Sequence, residues 1–194
     1  MSVAASPDPF LTSPEITRLL GRWIAGEHQA ADALLRLLYQ QLHVLAERLL
    51  RKSGGAAELQ ATELIAEAWL RLDQGQLKPD DRRHFMALAA RVMRQVLIDQ
   101  ARRRLADKRG GGWMRITLTQ DGTGPDDPLQ LLQLDHGLTQ LGDVHPRAGR
   151  AIEMQYFGGM STAETAAVLQ VTERTVERDL RFGRAWLKDH LGGV

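Results

Sequence analysis

The hydrophobic residues of this chain recur every three or four positions over most of its length, which is the spacing of amphipathic α-helices. A first helix is predicted to begin at Ser13-Pro14-Glu15, because serine caps helices and proline suits the first helical position. Gly26 interrupts the pattern, and a longer helix then runs to about Lys52. A third helix is predicted over 61–72 and a fourth from about Arg82. The pattern therefore predicts an all-α fold.

The last third of the chain contains two short helical segments separated by a tight turn. Ser161 or Thr162 is placed to cap the first segment, and Ser161 has a glutamate three residues later, which is the spacing of a capping box. Thr172 is placed to cap the second segment. Gln170 stands at the turn where glycine is usual, so we expect a left-handed backbone or a different turn there. Val176 and Leu180 are predicted to face inward, which leaves a polar outer face. The outer face carries Glu173, Arg174, Thr175, Glu177, Arg178 and Arg181.

This arrangement predicts a helix-turn-helix whose second helix enters the major groove of DNA, with side chains that contact base edges and phosphates. The alternative is an ordinary helical hairpin with a solvated charged face.

The distribution of charge supports a nucleic-acid partner. The net charge is only +1, but residues 82–115 hold ten Lys and Arg against two Asp, a local net charge of +8. The following stretch, 116–146, has five Asp and no Lys or Arg. Such segregation is typical of a polyanion-binding face beside a segment that avoids it, although a solvated basic helix has the same composition.

Turn and loop signals divide the chain into three units. We predict a helical domain over 13–105, a linker over 106–135 and a second helical domain, with the helix-turn-helix, over 138–191. The linker is rich in glycine, proline and aspartate. Its residues 113–118 are compatible with a short extended strand that has no evident partner.

Composition excludes several classes of protein. With 43% hydrophobic and 25% charged residues, the chain has enough apolar side chains for packed cores. It has no cysteine, which excludes disulfides and thiolate metal sites, and no apolar run approaches the roughly 20 residues that span a bilayer. The start of the chain lacks the features of a signal peptide. We therefore expect a soluble, cytoplasmic protein that contacts no membrane.

The sequence contains no catalytic constellation. Its six histidines are scattered without the spacing of metal ligands, and surface or hydrogen-bonded roles are commoner for such residues. We expect no enzymatic activity, no metal and no cofactor. The histidines are His28, His43, His84, His136, His145 and His190.

Several motifs, in order, resemble the extracytoplasmic-function (ECF) RNA polymerase sigma factors of bacteria. The segment 85–104 is similar to that family's promoter-melting helix, in which an apolar stretch is followed by an aspartate and a basic cluster. The segment 64–72 resembles the helix that docks on the β′ clamp of polymerase. The segment from Val144 through the helix-turn-helix resembles the fourth conserved region, so the resemblance extends over about 13–191.

The resemblance implies a sigma factor that binds core RNA polymerase and directs promoter-specific transcription initiation. The C-terminal domain would bind the β flap and read the −35 element through the outer face of its second helix. The loop 73–81 lies where relatives hold a base flipped out of the −10 element, and the linker would enter the active-site channel. The third helix would contact the β′ clamp through Gln60, Thr62, Glu63, Glu67 and Arg71. The fourth helix would hold phosphates during melting through Arg91, Arg94, Arg102, Arg103 and Arg104.

The chain departs from the family at the start of the clamp-binding helix. Most members carry an acidic run there, whereas this chain has Gln60, Ala61, Thr62 and Glu63. Phosphorylation of Thr62 would add about −1.5 to −2 charges at a helix N-terminus, where anions are favoured. In this respect the chain resembles the subgroup that is activated by a Ser/Thr protein kinase. The alternative is that Thr62 is an ordinary first-turn residue.

Two other functions remain open at this point. A helix-turn-helix regulator would bind duplex DNA without polymerase, and a signalling adaptor would dock on polymerase without opening promoters. The basic fourth helix argues against both, because neither function requires it.

Overall fold

The computed structural model describes residues 14–53, 59–74, 79–108 and 128–191, and these residues are almost entirely helical. No strand occurs among them, so the predicted all-α fold is confirmed. The centre of the predicted linker and the suggested strand at 113–118 lie outside the described residues. The helices are α1 Pro14–Ile24, α2 His28–Lys52, α3 Ala61–Gln74, α4 Arg82–Lys108, α5 Pro128–Val144, α6 Pro146–Ile152, α7 Thr162–Leu169 and α8 Glu173–Leu191; a π-helical segment, Glu153–Phe157, follows α6.

An aromatic cluster and a row of leucines form the core of the N-terminal domain, α1 to α4. Trp23 of α1 stacks on Trp69 of α3 with ring centroids 5.6 Å apart, and both rings contact Phe85 of α4. The Trp23 indole N–H donates a hydrogen bond to Asp73 over 2.8 Å, which satisfies the polar atom of the ring. Leucines of α2 recur at helical spacing, and burial of each contributes about 1.5–3 kcal/mol. The buried leucines of α2 are Leu34, Leu38, Leu42, Leu45 and Leu49.

In the C-terminal part of the chain, α5 to α8, the helices α7 and α8 and the tight turn between them occupy the segment for which a helix-turn-helix is predicted. Ser161 and Glu164 form a capping box at the start of α7, each side chain accepting a hydrogen bond from the other's backbone N–H. Gln170 ends α7 with φ 54° and ψ 44°, the left-handed conformation considered for the turn. The Thr172 hydroxyl accepts a hydrogen bond from the Thr175 N–H at the start of α8. The capping residues and the turn are therefore as predicted.

Two glycines allow the helices of the C-terminal domain to approach closely. A Cβ on Gly183 of α8 would lie 2.5 Å from Ile152 Cδ1, and a Cβ on Gly149 of α6 would lie 3.2 Å from the Cα of Gly142. Side chains at these positions would push the helices apart, so α8 is seated on α5 and α6 at short range.

Helices occupy both ends of the segment predicted as a linker. Residues 106–108 belong to α4, and residues 128–135 belong to α5. Pro128 fits the first position of a helix, because its missing N–H would have no intrahelical partner there. Leu131 and Asp135 are buried, since α5 packs against α4. The helix that contains residue 138 therefore begins at Pro128.

Candidate polymerase-binding and DNA-binding surfaces

The outer face of α8 is exposed to solvent. Arg174, Arg178 and Arg181 are exposed and follow one another at intervals of four and three residues, which puts them on one side of the helix. Val176 and Leu180 are buried on the opposite side. The helix therefore presents a cationic face while its apolar face is fixed in the domain.

The other predicted contacts on α8 differ in exposure. Glu173 and Glu177 are exposed. Thr175 is half-buried, and its hydroxyl lies 2.9 Å from that of Thr172 in the helix cap. Thr175 thus also contributes to the start of the helix.

One charged residue of α8, Asp179, lies on the buried side and was not predicted. Asp179 is 2% exposed, and its carboxylate accepts hydrogen bonds from the Arg147 guanidinium on α6, one of them over 3.2 Å from Nη2. The hydrogen bonds and charge of Asp179 raise the pKa of Arg147 above its ordinary value. The pair fixes the rotation of α8 relative to α6. The burial of Asp179 could have been predicted from its position three residues after Val176, since that spacing places it on the apolar side of the helix.

The start of α3 is exposed, as a polymerase contact requires. Gln60, Thr62 and Glu63 are all exposed. The Gln60 N–H donates a hydrogen bond to the Glu63 carboxylate over 2.8 Å, so Glu63 already satisfies one N–H group at this terminus. Thr62 lies in the same first turn, where the positive end of the helix dipole favours an anion.

Further along α3, the predicted contacts are partly engaged within the protein. Arg71 forms ion pairs with Glu67 on the same helix at 3.2 Å and with Asp99 of α4 at 2.7 Å. Leu70, in contrast, is 60% exposed, although it was not predicted as a contact. The exposure of Leu70 could have been predicted from the sequence, because Leu70 falls outside the apolar stripe of the helix.

The five arginines predicted to contact DNA from α4 are not equivalent. Arg91, Arg102 and Arg103 are exposed, and Arg104 is half-buried. Arg94 is only 7% exposed, so its predicted phosphate contact does not fit this conformation. The reason is that the C-terminal domain packs over this part of α4 through α5 and the π segment.

Acidic and aromatic side chains of the C-terminal domain enclose Arg94. Its Nη1 donates to Asp135 of α5 over 2.7 Å, and its Nη2 donates to Glu153 of the π segment. The guanidinium also lies 5.2 Å from the centroid of the Phe157 ring. Nη2 of Arg102 lies 3.4 Å from the second carboxylate oxygen of Asp135. These carboxylates bind guanidinium groups in the way that phosphate oxygens do.

The loop predicted to hold a flipped base is described at its two ends. Asp73 is engaged with Trp23, and Asp81 caps α4 by accepting a hydrogen bond from the His84 N–H over 2.8 Å. Residues 75–78 lie outside the described part of the chain, so the base pocket stays a prediction.

Across the described ranges, no three His, Asp or Glu side chains are grouped closely enough to hold a metal ion. None of the helices described is both long and apolar enough to cross a membrane.

Comparison with known proteins identifies the family of the chain. Residues 13–193 match the family described as ECF sigma factor. The chain is 32% identical over 164 residues to the ECF RNA polymerase sigma factor SigL of Mycobacterium tuberculosis, in each of the strains H37Rv, CDC 1551 and Erdman. This match covers 82% of the chain and 89% of the relative. Because the family match includes nearly the whole chain, the protein belongs to the ECF sigma factors, non-enzymatic transcription factors that direct transcription initiation by RNA polymerase.

Proposed function

We propose that this sigma factor binds the β′ clamp of core polymerase through the start of α3 and places α4 and α8 on promoter DNA. The C-terminal domain binds the β flap and the −35 element, and the N-terminal domain binds and melts the −10 element in the cytoplasm. The observation that carries this division is the exposure of the polar faces of α3 and α8, although both helices are anchored by buried apolar faces.

On α8, Arg174, Arg178 and Arg181 read the −35 duplex. Arginine forms bidentate hydrogen bonds to guanine or binds phosphate, and three arginines on one helix face can do both. The buried Asp179–Arg147 pair supports this role, because it holds the helix that carries them in one rotation.

On α4, the exposed arginines hold phosphates while the strands separate. This contribution does not depend on sequence and weakens as salt rises. Arg91 and Arg103 act from the start, and Arg104 belongs to the same set. Arg94 and Arg102 join them once the C-terminal domain leaves α4. The loop 73–81 holds the flipped base.

Thr62 gates polymerase binding as a phosphorylation site for a Ser/Thr protein kinase. It is exposed in the first turn of α3, where Glu63 is the sole carboxylate among residues 60–63. A dianionic phosphate there restores the missing charge and forms about one to three charge-assisted hydrogen bonds with cations of the clamp. The unmodified chain therefore binds polymerase weakly.

The test is the affinity for core polymerase of the chain with and without phosphate on Thr62. We expect phosphorylation to tighten binding by about tenfold or more, since each charge-assisted contact contributes about 1.5–3 kcal/mol. Thr62→Ala should abolish transcription in cells without unfolding the protein. Thr62→Glu should rescue poorly, because one charge replaces two, and Gln60→Asp with Thr62→Glu should rescue better and act without the kinase.

Thr17→Ala is the matched control, because Thr17 is also an exposed helical threonine of the same domain. It should leave polymerase binding unchanged. Equal affinities of the phosphorylated and unmodified chains would identify Thr62 as an ordinary first-turn residue.

Family membership favours this function over a stand-alone regulator or an adaptor. Run-off transcription that requires both core polymerase and this chain supports the sigma factor. A promoter shift by the chain alone would favour the regulator, and polymerase binding without a transcript would favour the adaptor.

A further inference from the structure

The contact between the two domains extends beyond Arg94 to a second cationic region on α2. Lys52 donates a hydrogen bond to the Tyr156 carbonyl oxygen, and its Nζ lies 3.6 Å from the centroid of the Tyr156 ring. Burial, with a smaller contribution from Arg48, lowers the pKa of Lys52. Arg48 lies so close to Gly159 that a Cβ there would be 1.1 Å from Nη1. Cations of α2 and α4 thus face the same side of the C-terminal domain.

The π segment supplies most of the opposing groups. Glu153 accepts from Arg94, Tyr156 accepts from Lys52, and the Phe157 ring lies against the Arg94 guanidinium. Short π-helical turns occur frequently at functional sites, and no other is present among the described residues of this chain. The contact is therefore built around a specialised element of the C-terminal domain.

The same side of α4 cannot bind the C-terminal domain and DNA at once. Arg94 is buried by Asp135 and Glu153, and Arg102 shares Asp135. Both arginines belong to the set proposed to hold phosphates during melting, and each would have to leave its carboxylate before it could bind a phosphate.

We infer that this contact is autoinhibitory: the C-terminal domain covers the DNA-melting face of α4, with Asp135 and Glu153 in place of DNA phosphates. The inference rests on the proposed role of α4. Single-stranded DNA or polymerase must separate the domains before α4 can hold melted DNA. The exposed arginines of α8 remain available to duplex DNA in the closed form.

One feature indicates that the contact is separable. Among the described side chains, the Nε of Arg94 is buried without a hydrogen-bond partner. Buried polar atoms of a permanently packed core are nearly always paired.

The absence of cysteine allows two dyes to be placed at engineered cysteines without further changes to the chain. Gln29→Cys and Gln140→Cys are suitable, because both residues are exposed and lie in different domains. Energy transfer between the dyes measures closure, and binding of an oligothymidylate of about 15 nucleotides measures access to the phosphate-binding face.

The variant Asp135→Asn with Glu153→Gln removes both carboxylates and should open the protein. We expect energy transfer to fall and the affinity for oligothymidylate to rise about tenfold at about 0.1 M salt, because the arginines are released. The matched control is Asp32→Asn with Asp143→Asn, which removes two exposed carboxylates and changes the net charge equally. It should keep the energy transfer and raise affinity only about twofold.

Two outcomes would overturn the inference. One is that the variant Asp135→Asn with Glu153→Gln keeps the same energy transfer as the labelled chain without these substitutions. The other is a variant that opens but gains no more DNA affinity than the control.

A further measurement does not depend on whether the variant folds. Saturating oligothymidylate should lower the energy transfer of the labelled chain that carries neither carboxylate substitution, since phosphates displace the two carboxylates. Unchanged energy transfer while the oligothymidylate binds through Arg94, as shown by weaker binding of Arg94→Gln, would contradict this inference.

None of these assays contains polymerase, so they are separate from the test of the proposed function. A chain that opens as expected but supports no run-off transcription would refute the sigma-factor roles given to α4 while leaving the domain contact established.

Discussion

Two helices of this protein, α4 and α8, carry the arginines that the sequence predicts to bind DNA, and these arginines differ in their surroundings. On α8, Arg174, Arg178 and Arg181 are exposed, while Asp179 and Gly183 fix the opposite side of the helix. On α4, Arg94 is buried against two carboxylates of the other domain, and Arg102 forms an ion pair with one of them. The comparison teaches that an arginine-rich helix face is open to a ligand only where no other part of the protein packs against it. One surface is exposed to solvent, and the other is partly covered by the C-terminal domain.

The largest effect should follow from removing the exposed surface. Replacing Arg174, Arg178 and Arg181 together with alanine should weaken binding to the cognate −35 duplex by about thirtyfold or more, since each bidentate contact to guanine contributes about 1–3 kcal/mol. Duplex binding measured over a range of salt separates lost base contacts from lost phosphate contacts.

A matched control removes three other exposed arginines, through Arg18→Ala, Arg36→Ala and Arg51→Ala. It should retain promoter selectivity. If the α8 variant also kept its promoter selectivity and salt slope, the exposed arginines of α8 would not be the residues that read the −35 duplex.

A smaller effect is expected on α4, where part of the surface is already covered. Replacing Arg102, Arg103 and Arg104 with glutamine should impair open-complex formation more than binding to core polymerase. Loss of three phosphate contacts should reduce the salt slope for single-stranded DNA by about 2. Permanganate footprinting of unpaired thymines and a pull-down of core enzyme measure the two effects. Normal melting with lost polymerase binding would reverse the roles assigned to α3 and α4.

The smallest effect concerns how firmly α8 is seated. Gly183→Ala should lower the free energy of unfolding by about 1–2 kcal/mol, because its Cβ would lie 2.5 Å from the buried Ile152 side chain. Gly21→Ala should instead stabilise the protein by about 0.5–1 kcal/mol, since nothing lies within 4 Å of its Cβ position in α1. Urea unfolding compares the two. A neutral or stabilising Gly183→Ala would mean that α8 is seated less tightly on α6 than the short distance to Ile152 indicates.

Most of the fold could be predicted from local signals. Helical spacing predicted the helices, Ser161 predicted the start of α7, and the left-handed turn was considered for Gln170. Gly26, with φ +90°, lies at the predicted break between α1 and α2. Such features depend on neighbouring residues, and a single sequence contains them.

The exceptions arise from contacts between distant residues. Arg94 lies among the basic residues of the melting motif, but its burial depends on Asp135 and Glu153, which are 41 and 59 residues away. Asp135 was assigned to a linker because aspartate, glycine and proline precede it, and packing against α4 places it in a helix. The π segment has no signal in the hydrophobic pattern. Charge composition predicts a binding surface but not whether the protein itself occupies it.

The burial of Arg94 also affects where the protein spends its time in a cell. A genome presents about 10⁶ or more non-specific sites, each with a Kd of about 10⁻⁴–10⁻⁶ M for a basic protein. Each phosphate contact that the protein does not make weakens its non-specific binding and shortens its residence time on DNA of random sequence. If Arg94 contacts phosphate as proposed, a chain that keeps it against its own carboxylates leaves more protein in free diffusion. The burial of one arginine would then raise the concentration that is available to meet polymerase.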